Sequence, residues 1–296
     1  MAILTNSFRF AAAGGPPHWQ ELGRTTLSSA GDTVSVGSLA NKPYLMVIGH
    51  IIPSGNVYTR TWLNGDSGTN YATRFSTNGA ADSEITSTND TVTNESTDTT
   101  QYFTVQYINN IASKEKLWIT HSAEQESAGA GNIPSRTESV NKWSNTIDAV
   151  STVQQTNEST GDLATDTELV VLGYDPADTT GTSVWEELAS ADLGSAGLIL
   201  SSGSFTSKKY LMVSIHAISS GGMDSRLYFN SDGGSGGSSN YAWRISKNGA
   251  TDTTTASTYG INTEEGAWDN AYYNFFIINK SDKEKLVIGE VVHDSD

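Results

Sequence analysis

The sequence predicts an all-β protein made of tandem, jelly-roll-like β-sandwich modules, preceded by a short extended N-terminal arm. Three observations support this fold class. Apolar and polar residues alternate with a period of two, or apolar residues form short runs rich in Val, Ile, Thr, Tyr and Trp. Turns rich in Gly, Asn, Asp and Ser separate these segments. A long stretch of the sequence also occurs twice, which is typical of repeated modules.

Length and composition agree with two modules and argue against several functions. The 296 residues correspond to about two domains of roughly 150 residues each. The formal net charge of −16 repels phosphate groups and anionic membranes, so we expect no nucleic-acid binding. The sequence has no cysteine, which leaves no disulfide, thiolate metal site or cysteine nucleophile. Stability must then come from packing and from association between chains.

The first 17 residues are predicted to form the N-terminal arm. They lack a basic start and a long apolar run, so we expect neither a secretory signal peptide nor a membrane anchor. Phe8, Phe10 and the run Ala11–Ala13 give the arm apolar contacts for a partner, and the following GGPP sequence is a hinge. A disordered terminus is the alternative interpretation. We expect synthesis in the cytoplasm of a host cell and no membrane insertion.

An internal repeat defines the predicted domain organisation. The segment that begins at Trp19 returns at Trp185, an offset of 166 residues, and the sequences YLMV and SG recur inside it. The sequence KEKL at Lys114 returns at Lys283, an offset of 169 residues, because a Gly/Ser insertion lengthens a loop of the second copy. The predicted boundaries are an arm at 1–17, a first module at 18–178, a linker at 179–183 and a second module at 184–296.

The second copy stops before the sequence of the first copy is complete. Asp296 aligns with Ser127, whereas the first copy continues to about Asp178. A module without its last strands exposes its core and a sheet edge, which natural proteins avoid. Three explanations remain open: the chain continues past Asp296, the second copy is shorter by design, or a strand from another chain completes it. The first explanation predicts a longer array of repeats.

The first module has the strand density of a β-sandwich. Its predicted strands are Asp32–Val36, Tyr44–Ile52, Tyr58–Leu63, Tyr71–Ser76, Tyr102–Ile108, Leu117–His121, Thr146–Thr156 and Glu168–Tyr174. One segment, Arg136–Trp143, has acidic and apolar residues near a helical spacing, so we predict a short helix there, with a loop as the alternative.

The strand that begins at Tyr44 is apolar on both faces, and so, in large part, is its counterpart in the second copy. Such a strand lies inside a sandwich with its outer face covered, or its outer face is an interface. We expect an interface with other molecules, including further copies of this chain. The candidate interface residues are Phe8, Phe10, Tyr44, Met46, His50, Tyr210, Met212 and His216.

Catalytic patterns in the sequence are weak. Gly65-Asp66-Ser67-Gly68 is similar to the nucleophile segment of chymotrypsin-like proteases, but His50 and Ser67 bracket a single hairpin, and the second copy lacks this serine. The segment Gly233–Gly237 matches the pattern G-x-S-x-G without the strand and helix that this motif needs. No acidic pair recurs in both copies, which makes a hydrolase such as a polysaccharide depolymerase the weakest interpretation. We predict no catalytic residue, no metal ligand and no cofactor.

Several loop residues are candidates for ligand binding. They are Asp66, Asn70, Asp232, Asn240, Trp243 and Trp268. The Asp and Asn residues recur in both copies, so a calcium site built from loop oxygens is one interpretation, and an ion-free turn is the simpler one. The two tryptophans differ between the copies, and variable loop aromatics are where glycan binding is sought. The equivalent histidines His50 and His216 each lack a nearby second ligand, so we expect them to be packed or interfacial.

The repeat resembles modules of predicted structural proteins of marine tailed phages. The resemblance runs from Trp19 to Leu286 and rests on W-x-E-L, K-x-Y-L-x-V, N-Y-A-x-R-x-S-x-N-G and K-E-K-L. It implies a non-enzymatic place in the virion, as a head-decoration or fibre subunit, with capsid or tail proteins as partners. The alternative function is a tail fibre or receptor-binding protein that recognises a glycan on the host surface.

Overall fold

A computed structural model of the protein describes residues 18–95, 99–219, 225–233, 237–264 and 270–294. Those residues form nineteen β-strands and no helix, which confirms the predicted all-β fold class. The predicted arm, with Phe8 and Phe10, lies outside the described residues. Within the described ranges, no helix is long and apolar enough to cross a bilayer.

The first repeat is a sandwich of two antiparallel sheets. Its strands are β1 (Gln20–Thr26), β2 (Thr33–Val36), β3 (Tyr44–Ile51), β4 (Thr59–Leu63), β5 (Tyr71–Thr77), β6 (Ser83–Thr88), β7 (Thr91–Asn94), β8 (Tyr102–Asn109), β9 (Lys116–Glu124), β10 (Ser135–Trp143), β11 (Val153–Asn157) and β12 (Glu168–Tyr174). The large sheet has the order β1-β12-β3-β8-β9-β10-β5-β6, and the small sheet has the order β2-β11-β4-β7.

An apolar core fills the space between the two sheets. Leu45 and Val47 project from β3 into this core, where they share a buried cluster with Val34 of β2 and Val153 of β11. Each strand contributes alternate residues to the cluster because side chains alternate across a strand. Burying apolar surface at about 25 cal/mol per Å² stabilises this arrangement.

The opposite face of the large sheet carries a second buried cluster. Met46 and Ile48 of β3 lie in it together with Phe276 and Ile278, which belong to the second repeat. The outer face of β3 is therefore covered here by the other repeat of the same chain. The two apolar faces of β3 have a physical explanation: one faces the core of the first sandwich and the other faces the second repeat.

The second repeat reproduces part of the strand pairing of the first. Its strands are β13 (Tyr210–Ile218), β14 (Ser225–Leu227), β15 (Tyr241–Ile245), β16 (Thr253–Thr258), β17 (Ile261–Glu264), β18 (Asn270–Ile278) and β19 (Leu286–His293). The sheet β13-β18-β19 corresponds to β3-β8-β9, the pair β14-β17 to β4-β7, and the pair β15-β16 to β5-β6. Because the pairing recurs only in part, the division into two separate modules stays a prediction.

All eight predicted strands of the first repeat form, and most of their bounds agree with the prediction to within about two residues, but one strand begins much later than predicted. Residues 146–152 of the segment Thr146–Thr156 are not a strand. The side-chain oxygen of Asn145 accepts hydrogen bonds from the backbone N–H groups of Ile147 and Asp148, both at 2.8 Å. This local turn competes with strand formation, as Asn side chains commonly do.

The helix predicted at Arg136–Trp143 is wrong, and so is the loop that was its alternative. The segment lies in β10, which pairs with β9 on one side and with β5 on the other. Burial along β10 alternates strictly, with Thr137, Ser139 and Asn141 buried and Val140 exposed. The alternation was hidden in the sequence because polar residues take the buried positions.

The KEKL sequence of the first repeat positions a buried lysine. The Nζ atom of Lys116 donates hydrogen bonds to the carbonyl oxygens of Ala112, Lys114 and Asn145 at 2.8 to 3.1 Å. It also lies 5.6 Å from the centre of the Trp143 ring. The charge is thus satisfied by backbone dipoles and an aromatic face rather than by a carboxylate.

The variant Lys116→Met tests this role. We expect it to lower the free energy of unfolding by about 2–3 kcal/mol, because buried carbonyl oxygens would lose their donor. The matched control is Lys285→Met at the equivalent position of the second repeat, which is exposed, so water can replace its two hydrogen bonds. Chemical denaturation measures both variants, and equal losses would contradict the assignment.

Candidate functional site

Glu168 connects the two repeats. Its Oε1 atom accepts a hydrogen bond from the Tyr210 hydroxyl at 2.7 Å, and its Oε2 atom accepts one from the Thr26 hydroxyl at 2.7 Å. Ion pairs with Lys209 at 3.0 Å and Arg24 at 2.9 Å complete the group. Burial alone would raise the pKa of this carboxyl, but the hydrogen bonds from Thr26, Tyr210 and Lys209 outweigh it and lower the pKa to about 2.

A second polar contact fixes the repeats at another place. The Asp252 carboxylate is 2% exposed and receives two hydrogen bonds from Arg136, at 2.8 and 3.0 Å. Arg244 lies 3.6 Å from the same carboxylate. Burial opposes ionisation of Asp252, and the Arg136 guanidinium more than compensates, so its pKa is lowered. The bidentate geometry makes this a specific contact between β10 and the second repeat.

One side of the second repeat lacks the strands that close the first. In the first repeat, β1 pairs only with β12, and β2 pairs only with β11. The second-repeat counterparts of β1 and β2, at residues 186–192 and 199–202, contain no strand. Among the described residues, β19 is the last strand, so no counterparts of β11 and β12 are available to pair with them.

Large apolar side chains are exposed in this unpaired segment. Leu200 is 44% exposed, whereas Val34 at the equivalent position of the first repeat is fully buried. Phe205 is 41% exposed, whereas its counterpart Leu39 is 7% exposed. Equivalent apolar positions are therefore buried in the first repeat and exposed in the second.

The strand β13 has a free edge on the same side. Within the described part of the chain, it pairs only with β18, whereas its counterpart β3 pairs with both β8 and β12. Leu211 and Val213 of β13 are only partly buried, although Leu45 and Val47 at the equivalent positions are 1% and 0% exposed. We call the free edge of β13 together with residues 186–207 the open side of the second repeat.

A groove of about 940 Å³ occupies the part of the large sheet that the second repeat leaves uncovered. Its exposed surface is mostly apolar, and its lining residues come from β3, β5, β6, β8, β9, β10 and β12, together with Trp19. Tyr44 is 43%, Leu117 53% and Ile119 42% exposed in it. Tyr107 connects the groove to the second repeat through an edge contact with Phe276, with ring centres 6.4 Å apart. We call this surface the outer groove.

The predicted interface residues fall into three environments. Met46, Met212 and Tyr210 lie in the cluster between the repeats. Tyr44 lies in the outer groove. His50 is fully buried, and its Nε2 atom is 2.9 Å from the side-chain oxygen of Gln101. Contact of these residues with another molecule stays a prediction, and in this chain their neighbours belong to its own two repeats.

The two equivalent histidines differ in setting. Burial lowers the pKa of His50 to about 4, so its imidazole is neutral at pH 7. His216 is exposed, and its Nε2 atom lies 2.7 Å from the side-chain oxygen of Asn270. No group of three or more His, Asp or Glu residues suited to a metal ion occurs in the described part of the chain.

The Asp66 loop contains a tight turn and connects β4 of the small sheet with β5 of the large sheet. Asn64 and Gly65 have φ angles of 54° and 66°, and the backbone N–H of Asp66 donates a hydrogen bond to the Leu63 carbonyl oxygen at 3.0 Å, as in a β-turn with two central residues in the left-handed conformation. The Asp66 carboxylate accepts hydrogen bonds from the Trp143 indole at 2.7 Å and the Asn70 amide at 2.9 Å. Its oxygens thus accept hydrogen bonds from the turn and from the neighbouring strand β10, and the choice between an ion-free turn and a calcium site stays a prediction.

In the second repeat, the corresponding loop keeps one of these bonds. The Asn240 amide donates to the Asp232 carboxylate at 2.9 Å. Trp243 is 7% exposed and does not offer a ring face to solvent. Trp268 lies outside the described residues.

One charged cluster was not found by sequence reasoning. Arg60 is buried and lies 2.7 Å from Glu95, 3.4 Å from Glu158 and 3.8 Å from Asp90. Burial, followed by the neighbouring Glu158, raises the pKa of Asp90. These residues come from distant parts of the sequence, and only the recurrence of Arg60 as Arg226 could have indicated the position. None of them lines the outer groove.

Comparisons with protein-family models, curated proteins and solved structures find no match for this chain. Fold and surface geometry therefore define the class: a β-sandwich protein with two apolar surfaces that the described strands leave uncovered. The outer groove and the open side of the second repeat are the candidate functional sites.

The contact between the repeats predicts a specific pH dependence. Because the pKa of Glu168 is about 2 in the folded chain and 4.5 as its ordinary value, its stabilisation is present above pH 4.5 and is lost as the pH falls toward 2. We expect Glu168→Gln to lower the free energy of unfolding by about 2 kcal/mol at pH 7 and to remove this part of the pH dependence.

Urea unfolding at pH 7 and pH 3 measures the effect. The control is Glu186→Gln, an exposed carboxylate paired with Lys208 on the surface, for which we expect little change. A Glu168→Gln variant whose stability falls between pH 4.5 and pH 3 as steeply as that of the unmodified chain would contradict the assignment.

Proposed function

We propose that this chain is a non-enzymatic assembly subunit of a tailed-phage virion, a head-decoration or fibre subunit that acts through interfaces between β-sheets. The outer groove is the observation that carries the proposal. It presents exposed apolar side chains from neighbouring strands of one rigid sheet, among them Leu117, Ile119 and Val140. Contiguous apolar surfaces of this kind mark protein interaction sites.

A second copy of this chain suits the outer groove. The chain carries a net charge of −16, so two copies repel each other over most of their surface. The exposed surface of the groove is mostly apolar, and the charged side chains that line it, Arg74, Lys142 and Glu84, carry both signs, which makes it a region where two copies can meet with little repulsion between like charges. Homo-oligomers with closed symmetry are the commonest assemblies of soluble chains.

The contact between the repeats supports the same mode of association. The second repeat already covers part of the outer face with side chains such as Met212, Phe276 and Ile278. This is packing of one sheet on another through apolar faces. The uncovered part of the outer face is also apolar, so a sheet of another subunit can pack on it through apolar side chains in the same way. The resemblance of the repeat to structural modules of tailed phages supports a particle as the setting.

The glycan-binding alternative has less support from the described surfaces. Glycan sites combine exposed aromatic faces with polar groups that bind hydroxyls. Trp243 is buried, and the surface that the outer groove exposes is mostly apolar, although aromatic and polar side chains such as Tyr44 and Arg74 are among its lining residues. An assembly interface therefore explains the exposed apolar side chains better than a sugar site does.

The double variant Leu117→Glu/Ile119→Glu tests the assembly interface. We expect the unmodified chain to form oligomers whose mass rises with concentration in analytical ultracentrifugation. We expect the variant to be a monomer of unchanged thermal stability, because both side chains are already exposed. The control is Ile147→Glu, which is 83% exposed on a loop outside the groove and should leave association unchanged. A monomeric unmodified chain at all concentrations would contradict the proposal.

The proposed place of the chain in a virion is tested by proteomics of purified tailed-phage virions from a host that expresses this sequence. We expect peptides of the chain to remain with the particles after a high-salt wash, because apolar interfaces are not screened by salt. Peptides found only in the lysate and never with particles would argue against a virion subunit.

A further inference from the structure

The small sheet of the first repeat carries three carboxylates around one buried guanidinium. Two of them share an atom: Oδ1 of Asp90 and Oε2 of Glu158 lie 3.8 Å and 3.4 Å from the Nε atom of Arg60. We propose that Asp90 and Glu158 form a proton-binding site, and that the bound proton holds β7 and β11 against β4. The site goes beyond the proposed function, because none of its residues lines the outer groove.

The charges of the cluster do not balance when every group is ionised. Glu95 lies 2.7 Å from the Nη1 atom of Arg60, so one guanidinium faces three carboxylates. The side chains of Arg60 and Asp90 are 10% and 6% exposed, and charges this deeply buried are poorly screened. Two carboxylates in such a setting repel each other, and one bound proton removes the repulsion between Asp90 and Glu158.

Asp90 is the member of the pair that takes the proton. Its Oδ2 atom is buried and has no hydrogen-bond partner among the described residues, whereas the Glu158 side chain is 37% exposed. Burial, followed by a hydrogen bond with Glu158 and repulsion from its charge, raises the pKa of Asp90 to about 7. Arg60 opposes this rise without cancelling it. The site therefore gains or loses its proton near neutral pH, where an ordinary aspartate is ionised.

A guanidinium and a phenol also face Asp90, and neither changes its charge near neutral pH. Arg60 stays protonated, as arginine does throughout folded proteins. Burial raises the pKa of the Tyr71 phenol, and the charge of Asp90 raises it further, so Tyr71 stays neutral. The Tyr58 ring lies 5.8 Å from the guanidinium carbon of Arg60. Titration near pH 7 in this cluster thus belongs to the pair of Asp90 and Glu158.

The site connects three strands of the small sheet. Asp90 precedes β7, Arg60 lies in β4 and Glu158 follows β11, and β4 pairs with both β7 and β11. The register of β4 and β7 shifts between Thr59 and Arg60, so the strand pairing is already irregular beside the cluster. Loss of the proton adds a negative charge at this place. Repulsion then weakens the pairing of β4 with both of its neighbours.

The second repeat keeps the arginine and lacks the proton site. Arg226 of β14 is the counterpart of Arg60, and the strand register places Gly260 at the position of Asp90. The guanidinium carbon of Arg226 lies 4.6 Å from the centre of the Tyr259 ring. The arginine is thus accommodated in this fold without an aspartate, which argues against a purely structural role of Asp90.

Carbon-13 NMR of the carboxyl groups in the full chain measures the proton directly. We expect one aspartate carboxyl to titrate near pH 7 and its signal to be absent from Asp90→Asn. In Glu158→Gln, which keeps Asp90, we expect the midpoint to move to lower pH by about one unit or more, because the repulsion is lost. A midpoint near 3.8 in the unmodified chain, or an unchanged midpoint in Glu158→Gln, would overturn the inference.

Amide hydrogen exchange of β7 and β11 at pH 6 and pH 8 measures the consequence for strand pairing. Because the pKa of Asp90 is about 7 in the folded chain and 3.8 as its ordinary value, the folded chain loses stability as the pH rises through 7. We expect protection factors in the unmodified chain to be about tenfold lower at pH 8 than at pH 6, and those of Asp90→Asn to be equal.

The matched control is Asp82→Asn, which changes an exposed carboxylate that pairs with Arg74 and should keep the pH dependence of the unmodified chain. A pH dependence that persists in Asp90→Asn would assign it to other groups and overturn the inference. The proposed function is tested separately, because Asp90 lies outside the groove. Proton binding by a chain that never associates keeps this inference and contradicts the proposed function, and association without titration of Asp90 does the reverse.

Discussion

The structure depends on the pairing of β12, the last strand of the first repeat. A strand inside a sheet is hydrogen-bonded along both edges, and β12 pairs in this way with β1 on one side and with β3 on the other. Its side chains enter both the core and the cluster between the repeats, and its first residue, Glu168, holds Tyr210 of the second repeat. The strand β12 thus completes the large sheet of the first sandwich and also contacts the second repeat. Because β12 and β3 lie more than a hundred residues apart, this pairing is expected to form late in folding.

The second repeat lacks a counterpart of β12 among its described residues, and its structure differs accordingly. Segments of corresponding sequence form β1 and β2 in the first repeat and contain no strand in the second. Local β-propensity is therefore insufficient, and tertiary pairing decides whether a strand forms. The exposed side chains of Leu200 and Phe205 are the energetic consequence, since their counterparts are buried.

Much of the fold can be predicted from the period-two pattern, and the exceptions have identifiable causes. The bounds of β12 match the prediction because its apolar run ends at Gly173 and Tyr174, next to a turn. The strand β7 was missed because three of its four buried residues are polar, two threonines and one asparagine, and the Thr93 hydroxyl is hydrogen-bonded to the Thr61 hydroxyl at 2.6 Å. The strand β10 was missed for the same reason, since polar side chains occupy its buried face.

The candidate sites were only partly predictable. The sequence indicated that β3 needs cover on both faces and that the second copy lacks its last strands. It could not indicate that the second repeat covers Met46 and Ile48 while Tyr44 stays in the outer groove, because that depends on how the two sheets pack. The cluster around Arg60 was equally hidden, since its carboxylates come from different strands and loops.

Amide hydrogen exchange on the unmodified chain is the most direct test of whether strands such as β1 and β2 form only where β11 and β12 pair with them. It compares residues 20–36 with their counterparts 186–202 in the same molecule under the same conditions. We expect strong protection of residues 20–36, which pair with β11 and β12. We expect residues 186–202 to exchange at nearly the rate of an unstructured peptide. Comparable protection of both segments would contradict the claim that these strands exist only where β11 and β12 are present to pair with them.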